Sequence, residues 1–226
     1  MTSRLAGIDP ALYVITDTAL CARTGRSVAE TVAAAVRGGA GIVQVRDKAI
    51  NDAAFYELSV AVLKAVKEAS GGRRVPVVLN DRVEVAARLL AKGLEVHVHV
   101  GQDDMPPDQV RERLGPKPLI GLSITNQTEL LATRAHPCVD LLGIGPVFAT
   151  ATKPDAARPL GARRLAELVG QTDIPAVAIG GIDVARAGEL HTTGVVGICV
   201  VSAICQAADP EASARALYQA FKAGGT

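Results

Sequence analysis

Short apolar runs alternate with amphipathic stretches along nearly the whole chain. Residues 12–16, 42–47, 76–80, 96–101, 119–124, 141–147, 175–179 and 197–202 have strand length and are rich in Val, Ile and Leu. Such runs suit parallel strands buried on both faces. Helical spacing follows at 27–37, 51–69, 83–92, 107–114, 127–134, 160–170, 184–190 and 210–223. Ser27 with Glu30 three positions on is a capping-box pattern, Asn51 is a side-chain cap, and Pro106-Pro107 opens the helix at 107. Repeated strand–helix units predict a (β/α)8 TIM barrel, one domain over residues 1–226, with a barrel core at about 11–206. An open doubly wound sheet shows the same alternation. However, its glycine fingerprint is missing after the first strand, where Thr16-Asp17-Thr18 stands.

In a parallel barrel all strands deliver their carboxyl ends to one face, where binding sites form. Seven runs end there in chemically different clusters: Gln44-Val45-Arg46-Asp47-Lys48, Asn80-Asp81, Gln102-Asp103-Asp104, Ser123, Thr150-Ala151-Thr152-Lys153, Gly180-Gly181 and Val201-Ser202. Gln44, Arg46 and Lys48 are two apart, which in a strand puts them on one face. Their cations suit a multiply charged oxyanion such as diphosphate. Asp81 with Asp103 or Asp104 can share a hard cation, because Mg²⁺ takes one or two carboxylates and completes its octahedron with water and phosphate oxygens. These aspartates also suit turns and helix caps. Asn80 can read an aminopyrimidine-like edge. Gly180-Gly181 and Ser202 follow the seventh and eighth runs, the usual phosphate position of such barrels. The segment 148–158 is the one long excursion, of the kind that covers sites. His97 and His99 share a strand face, which is compatible with a two-histidine metal site or with hydrogen-bonded core histidines. His136 and His191 fall in loops, and no Ser-His-Asp or Cys-His spacing stands out.

Composition narrows the partners. A formal net charge of +1 provides no field for nucleic acid or an anionic membrane. Aromatic residues are only 3% with no Trp, too few for a single-strand stacking platform. No apolar run is long enough to span a bilayer, and residues 1–10 lack a basic-then-hydrophobic leader pattern. The four cysteines (Cys21, Cys138, Cys199, Cys205) have no CxxC spacing and read as reduced small hydrophobes, as in a cytoplasmic enzyme.

Read together, these segments resemble the thiamine-phosphate synthase family from about residue 12 to 204. The resemblance rests on Tyr13-Val14-Ile15-Thr16-Asp17, Gln44 to Lys48, Leu79-Asn80-Asp81-Arg82, His99-Val100-Gly101-Gln102-Asp103-Asp104, Gly121-Leu122-Ser123, Gly143 to Phe148, Thr150 to Pro154, Ala178 to Ile182 and Val200 to Ile204. It implies a Mg²⁺-dependent transferase joining hydroxymethylpyrimidine diphosphate to hydroxyethylthiazole phosphate. The diphosphate would leave first, and the thiazole nitrogen would capture the resulting pyrimidine cation. By carry-over, Gln44, Arg46, Lys48, Asn80, Ser123 and Lys153 hold the pyrimidine diphosphate, Arg46, Lys48, Ser123 and Lys153 being the catalytic set. Asp81 and Asp104 bind Mg²⁺, and Thr150, Thr152, Gly181, Val201 and Ser202 hold the thiazole phosphate. The partners implied are small molecules, with room for a homo-oligomer.

Two departures stand out. Lys92-Gly93-Leu94-Glu95-Val96-His97 replaces the family's Ala-Asp-Gly lead-in, which leaves Asp103 and Asp104 open as the metal ligand. Thr125 stands where the family often has His. A thiazole tautomerase-like paralogue would need that His as its acid–base group. A phosphosugar isomerase or decarboxylase on the same barrel would keep the glycine nest without needing paired aspartates. A non-catalytic regulator binding a thiamine precursor would need no diphosphate apparatus.

Overall fold

Four- and five-residue apolar runs become strands here because a closed barrel leaves no edge to protect and buries both faces of each strand. The computed structural model describes residues 4–150 and 158–225. In it β1 (Leu12–Ile15), β2 (Ile42–Val45), β3 (Val77–Asn80), β4 (His97–Val100), β5 (Ile120–Ile124), β6 (Leu141–Ile144), β7 (Ala176–Ile179) and β8 (Gly197–Val200) pair in parallel and in chain order. β8 closes on β1. The architecture is the expected (β/α)8 barrel. The strands are shorter than the apolar runs because several runs continue into the loops above.

Around the barrel lie α1 (Thr18–Ala22), α2 (Val28–Arg37), α3 (Asp52–Ala69), α4 (Val83–Ala91), α5 (Pro107–Leu114), α6 (Gln127–Ala132) and α7 (Gly161–Val169). α8 (Val184–His191), α9 (Ser202–Cys205) and α10 (Pro210–Ala223) complete the ring. The predicted caps form. Both bonds of the Ser27–Glu30 capping box are present, and Asn51 Oδ1 accepts from Ala54 N–H at 3.0 Å. α1 and α9 are not among the predicted helices. His191 is the last residue of α8 and stacks against Phe221, with ring centroids 5.2 Å apart, so it does not lie in a loop.

Alternation along the strands separates two cores. Leu12, Val14, Val43 and Val45 face the helices, whereas Tyr13, Ile15, Ile42, Val78, Leu141, Val177 and Cys199 fill the barrel. Leu5 and Ile8 pack into that inner core from the amino-terminal segment. Leu94 N–H donates to the Leu89 carbonyl, so Lys92 to Leu94 form a turn closing α4, and β4 starts at His97. No helix among the described residues is long and apolar enough to cross a membrane.

Candidate active site

One cavity opens at the carboxyl ends of the strands. Gln44, the last inward residue of β2, is 1% exposed and donates through Nε2 to the Tyr13 hydroxyl at 2.7 Å. Burial holds the Tyr13 phenol far above its ordinary pKa, so it stays protonated. Beyond Val45 the strand ends. Arg46 N–H donates to Thr16 Oγ1 at 3.0 Å, and Asp47 Oδ1 accepts from Ala49 N–H at 2.8 Å. Arg46 and Lys48 therefore leave a loop rather than a strand, which corrects the alternation argument. Both still line the cavity with Gln44.

Beside them, after the neighbouring strands β3 and β4, stand the carboxylates. Asp81 follows β3 with φ +61°, a left-handed conformation that Asp tolerates better than most residues. Its N–H donates to the His99 carbonyl at 3.0 Å, which ties the turn after β3 to β4. Asp104 Oδ2 accepts from Gly101 N–H at 2.8 Å and lines the cavity with Asp81, whereas exposed Asp103 does not line it. Lys48 Nζ lies 3.9 Å from Asp81 Oδ2, and Asn80 Nδ2 donates to the same oxygen. Burial first, then Asp104, with which it shares a hydrogen bond, raise the Asp81 pKa to about 6. Two such oxygen donors fit a hard divalent cation. No group of three or more His, Cys, Asp or Glu among the described residues could cage a metal alone. An ion held by two carboxylates would complete its shell with water and phosphate oxygens.

The histidines do not form a metal pair. His97 Nδ1 accepts from Leu119 N–H at 3.0 Å in the barrel floor, while His99 Nε2 shares a 3.0 Å hydrogen bond with Ser123 Oγ. Burial lowers both pKa values to about 4, so both rings are neutral near pH 7. Space for the His99 ring comes from β5 and β6. A Cβ on Gly121 would lie 2.2 Å from His99 Nδ1, and one on Gly143 would lie 3.2 Å from Cε1. Gly121→Ala should therefore displace the ring and destabilise the fold by about 1–3 kcal/mol, as overpacking does. Urea denaturation checks this, and an unchanged midpoint would show that His99 yields without cost. Gln102 Nε2 donates to the Ser123 carbonyl at 2.7 Å, tying the loop after β4 to β5.

Gly180 (φ +103°) and Gly181 (φ +63°) turn the chain after β7 in conformations that other residues rarely adopt. With Thr150, Val201 and Ser202 they form the wall away from Arg46 in the strand order, just after β6, β7 and β8. Thr152 and Lys153 lie outside the described residues, as does most of the 148–158 segment. The sequence reading missed Tyr13 and Cys199 as cavity residues and read His99 only as a metal or core histidine. Their signal was inward parity on a strand, which resembles ordinary core. All four cysteines are free.

Comparison with known proteins identifies the family. A family model described as thiamine monophosphate synthase matches residues 12–204. A thiamine-phosphate synthase of Psychrobacter sp. (strain PRwf-1) is 45% identical over 208 residues, 91% of this chain and 92% of its own. One of Solidesulfovibrio magneticus is 46% identical over 209 residues, 92% and 94% of the two chains. A solved thiamine phosphate pyrophosphorylase from Pyrococcus furiosus superposes with a TM-score of 0.82 at 33% identity, covering 96% and 97% of the two chains. A match of this extent, over a barrel with these residues at its mouth, places the chain in the thiamine monophosphate synthase family.

Proposed function

We propose that this protein condenses hydroxymethylpyrimidine diphosphate with hydroxyethylthiazole phosphate to give thiamine phosphate and diphosphate. The observation that carries the reading is one cavity with Arg46, Lys48, Asp81 and Asp104 on one side and the Gly181–Ser202 wall on the other. Such a site can take a metal-neutralised diphosphate at one end and a phosphate at the other. Arg46, Lys48 and Lys153 would bind the diphosphate and favour the charge that grows on it as the C–O bond breaks. Gln44, Asn80 and Ser123 would orient the pyrimidine, with Tyr13 behind Gln44 and His99 behind Ser123. Thr150, Thr152, Gly181, Val201 and Ser202 would hold the thiazole phosphate so that its ring nitrogen faces the methylene carbon that the diphosphate leaves. Asp81 and Asp104 would hold Mg²⁺, which supplies positive charge to the leaving oxygens when bound.

The described cavity offers little proton-transfer chemistry. His99 is neutral and occupied by Ser123. Thr125, where a tautomerase-like protein would need its acid–base group, donates its hydroxyl to Glu129 at 2.7 Å. Departure followed by capture asks for no such group. Incubation of the purified protein with both substrates and Mg²⁺, each omitted in turn, tests the reading. Thiamine phosphate is expected only from the complete mixture. Its absence there, or isomerisation of a thiazole substrate alone, would reject it.

A further inference from the structure

Arg186 lies outside the cavity wall yet grips the wall's backbone. Its Nη1 donates to the Gly181 carbonyl at 2.6 Å, and its guanidinium carbon sits 4.8 Å from the Phe148 ring centroid. Asp183 Oδ1 caps α8 by accepting from Arg186 N–H at 3.0 Å, and Asp183 Oδ2 lies 3.8 Å from the guanidinium. The guanidinium thus covers the seam between the ends of β6 and β7. Underneath, Phe148 N–H donates to the Gly180 carbonyl at 3.0 Å and Val147 N–H to the Ile179 carbonyl at 2.8 Å. The seam is tight at Gly181, where a Cβ would meet the Ala149 carbonyl oxygen at 2.4 Å.

The consequence follows from peptide geometry. In a trans peptide the C=O and the following N–H point in opposite directions. Gly181 and Ile182 line the cavity and Arg186 does not. A Gly181 carbonyl held by Arg186 therefore turns the Ile182 N–H the other way. That N–H donates to no other group among the described residues. Glycine at φ +63° has little intrinsic preference for this orientation, so an outside hold is what selects it. The guanidinium also adds positive charge behind the donor, partly offset by Asp183.

We propose that Arg186 is a positioning residue that fixes the Gly181–Ile182 peptide as a donor to the phosphate of the thiazole substrate. The inference rests on the functional reading above. Two variants separate its parts. Arg186→Met keeps an apolar stem over Phe148 but has no donor, whereas Arg186→Lys keeps a donor and a charge.

Steady-state kinetics with each substrate varied, and calorimetric titration with the thiazole phosphate, read the effect. Arg186→Met should raise KM and Kd for the thiazole phosphate about tenfold, the scale of one charge-assisted hydrogen bond. KM for the pyrimidine diphosphate and kcat should stay within about twofold, and Arg186→Lys should recover most of the loss. Unchanged thiazole phosphate binding in Arg186→Met would overturn the proposal. Both KM values rising together with a fall in Tm would also overturn it, because Arg186 would then be holding the fold. A wild-type protein that neither binds the thiazole phosphate nor forms product would instead overturn the functional reading beneath it.

Discussion

Asp81→Ala should lower turnover by on the order of 10²–10³-fold and abolish the stabilisation by Mg²⁺ expected of the wild-type protein. Asp81 and Asp104 are brought to one cavity by adjacent strands, and their carboxyl groups share a hydrogen bond that burial strengthens. Without a cation, ionising both is unfavourable, which holds the Asp81 pKa up at about 6. The sign for stability follows. A carboxyl group with a raised folded pKa contributes fully below its unfolded value, and the contribution is lost as pH rises through about 6. Mg²⁺ reverses the loss because it binds the ionised form and releases the proton. The Mg²⁺-induced rise in Tm should therefore be large at pH 7.5, small at pH 5 and missing from Asp81→Ala at both. Thermal scans with and without Mg²⁺ at the two pH values measure it. An equal rise in the variant would exclude Asp81 as a ligand.

The barrel was legible because its physics is local and periodic. Each apolar run is followed by a helical period, and Ser27, Asn51 and Pro107 mark helix starts by their own chemistry. The one-turn helices α1 and α9 were not legible. A five-residue helix shows no period, and the Asp17 side chain that caps α1 by accepting from Leu20 N–H reads equally as a turn residue. Among site residues, polar clusters at strand ends could be seen, but their direction could not. Arg46 and Lys48 were assigned to a strand that ends at Val45, because nothing in the order of residues announces the bond from Arg46 N–H to Thr16. Asp103 and Asp104 are chemically identical in sequence, and only the bond from Gly101 N–H to Asp104 turns one of them inward. The role of Gly121 and Gly143 was not legible, because the ring they accommodate belongs to β4.

Arg46→Ala should cost on the order of 10²–10³-fold in kcat/KM for the pyrimidine diphosphate while leaving the fold intact. The two cations at the end of β2 are not equivalent. Lys48 stands 3.9 Å from Asp81, so part of its field is spent on a carboxylate. The Arg46 guanidinium makes no hydrogen bond or ion pair among the described residues, although its backbone is pinned by Thr16. An uncommitted planar fork, held in place from behind, can bind two phosphate oxygens at once without first breaking a protein contact. Arg46→Lys keeps the charge but not the fork and should recover only about tenfold. Inhibition by inorganic diphosphate separates this role from a structural one. Its Ki should rise in Arg46→Ala, whereas the KM for the thiazole phosphate and the Tm should hardly move. An unchanged Ki would place the leaving group elsewhere in the cavity. Lys48 or Lys153 would then have to carry it.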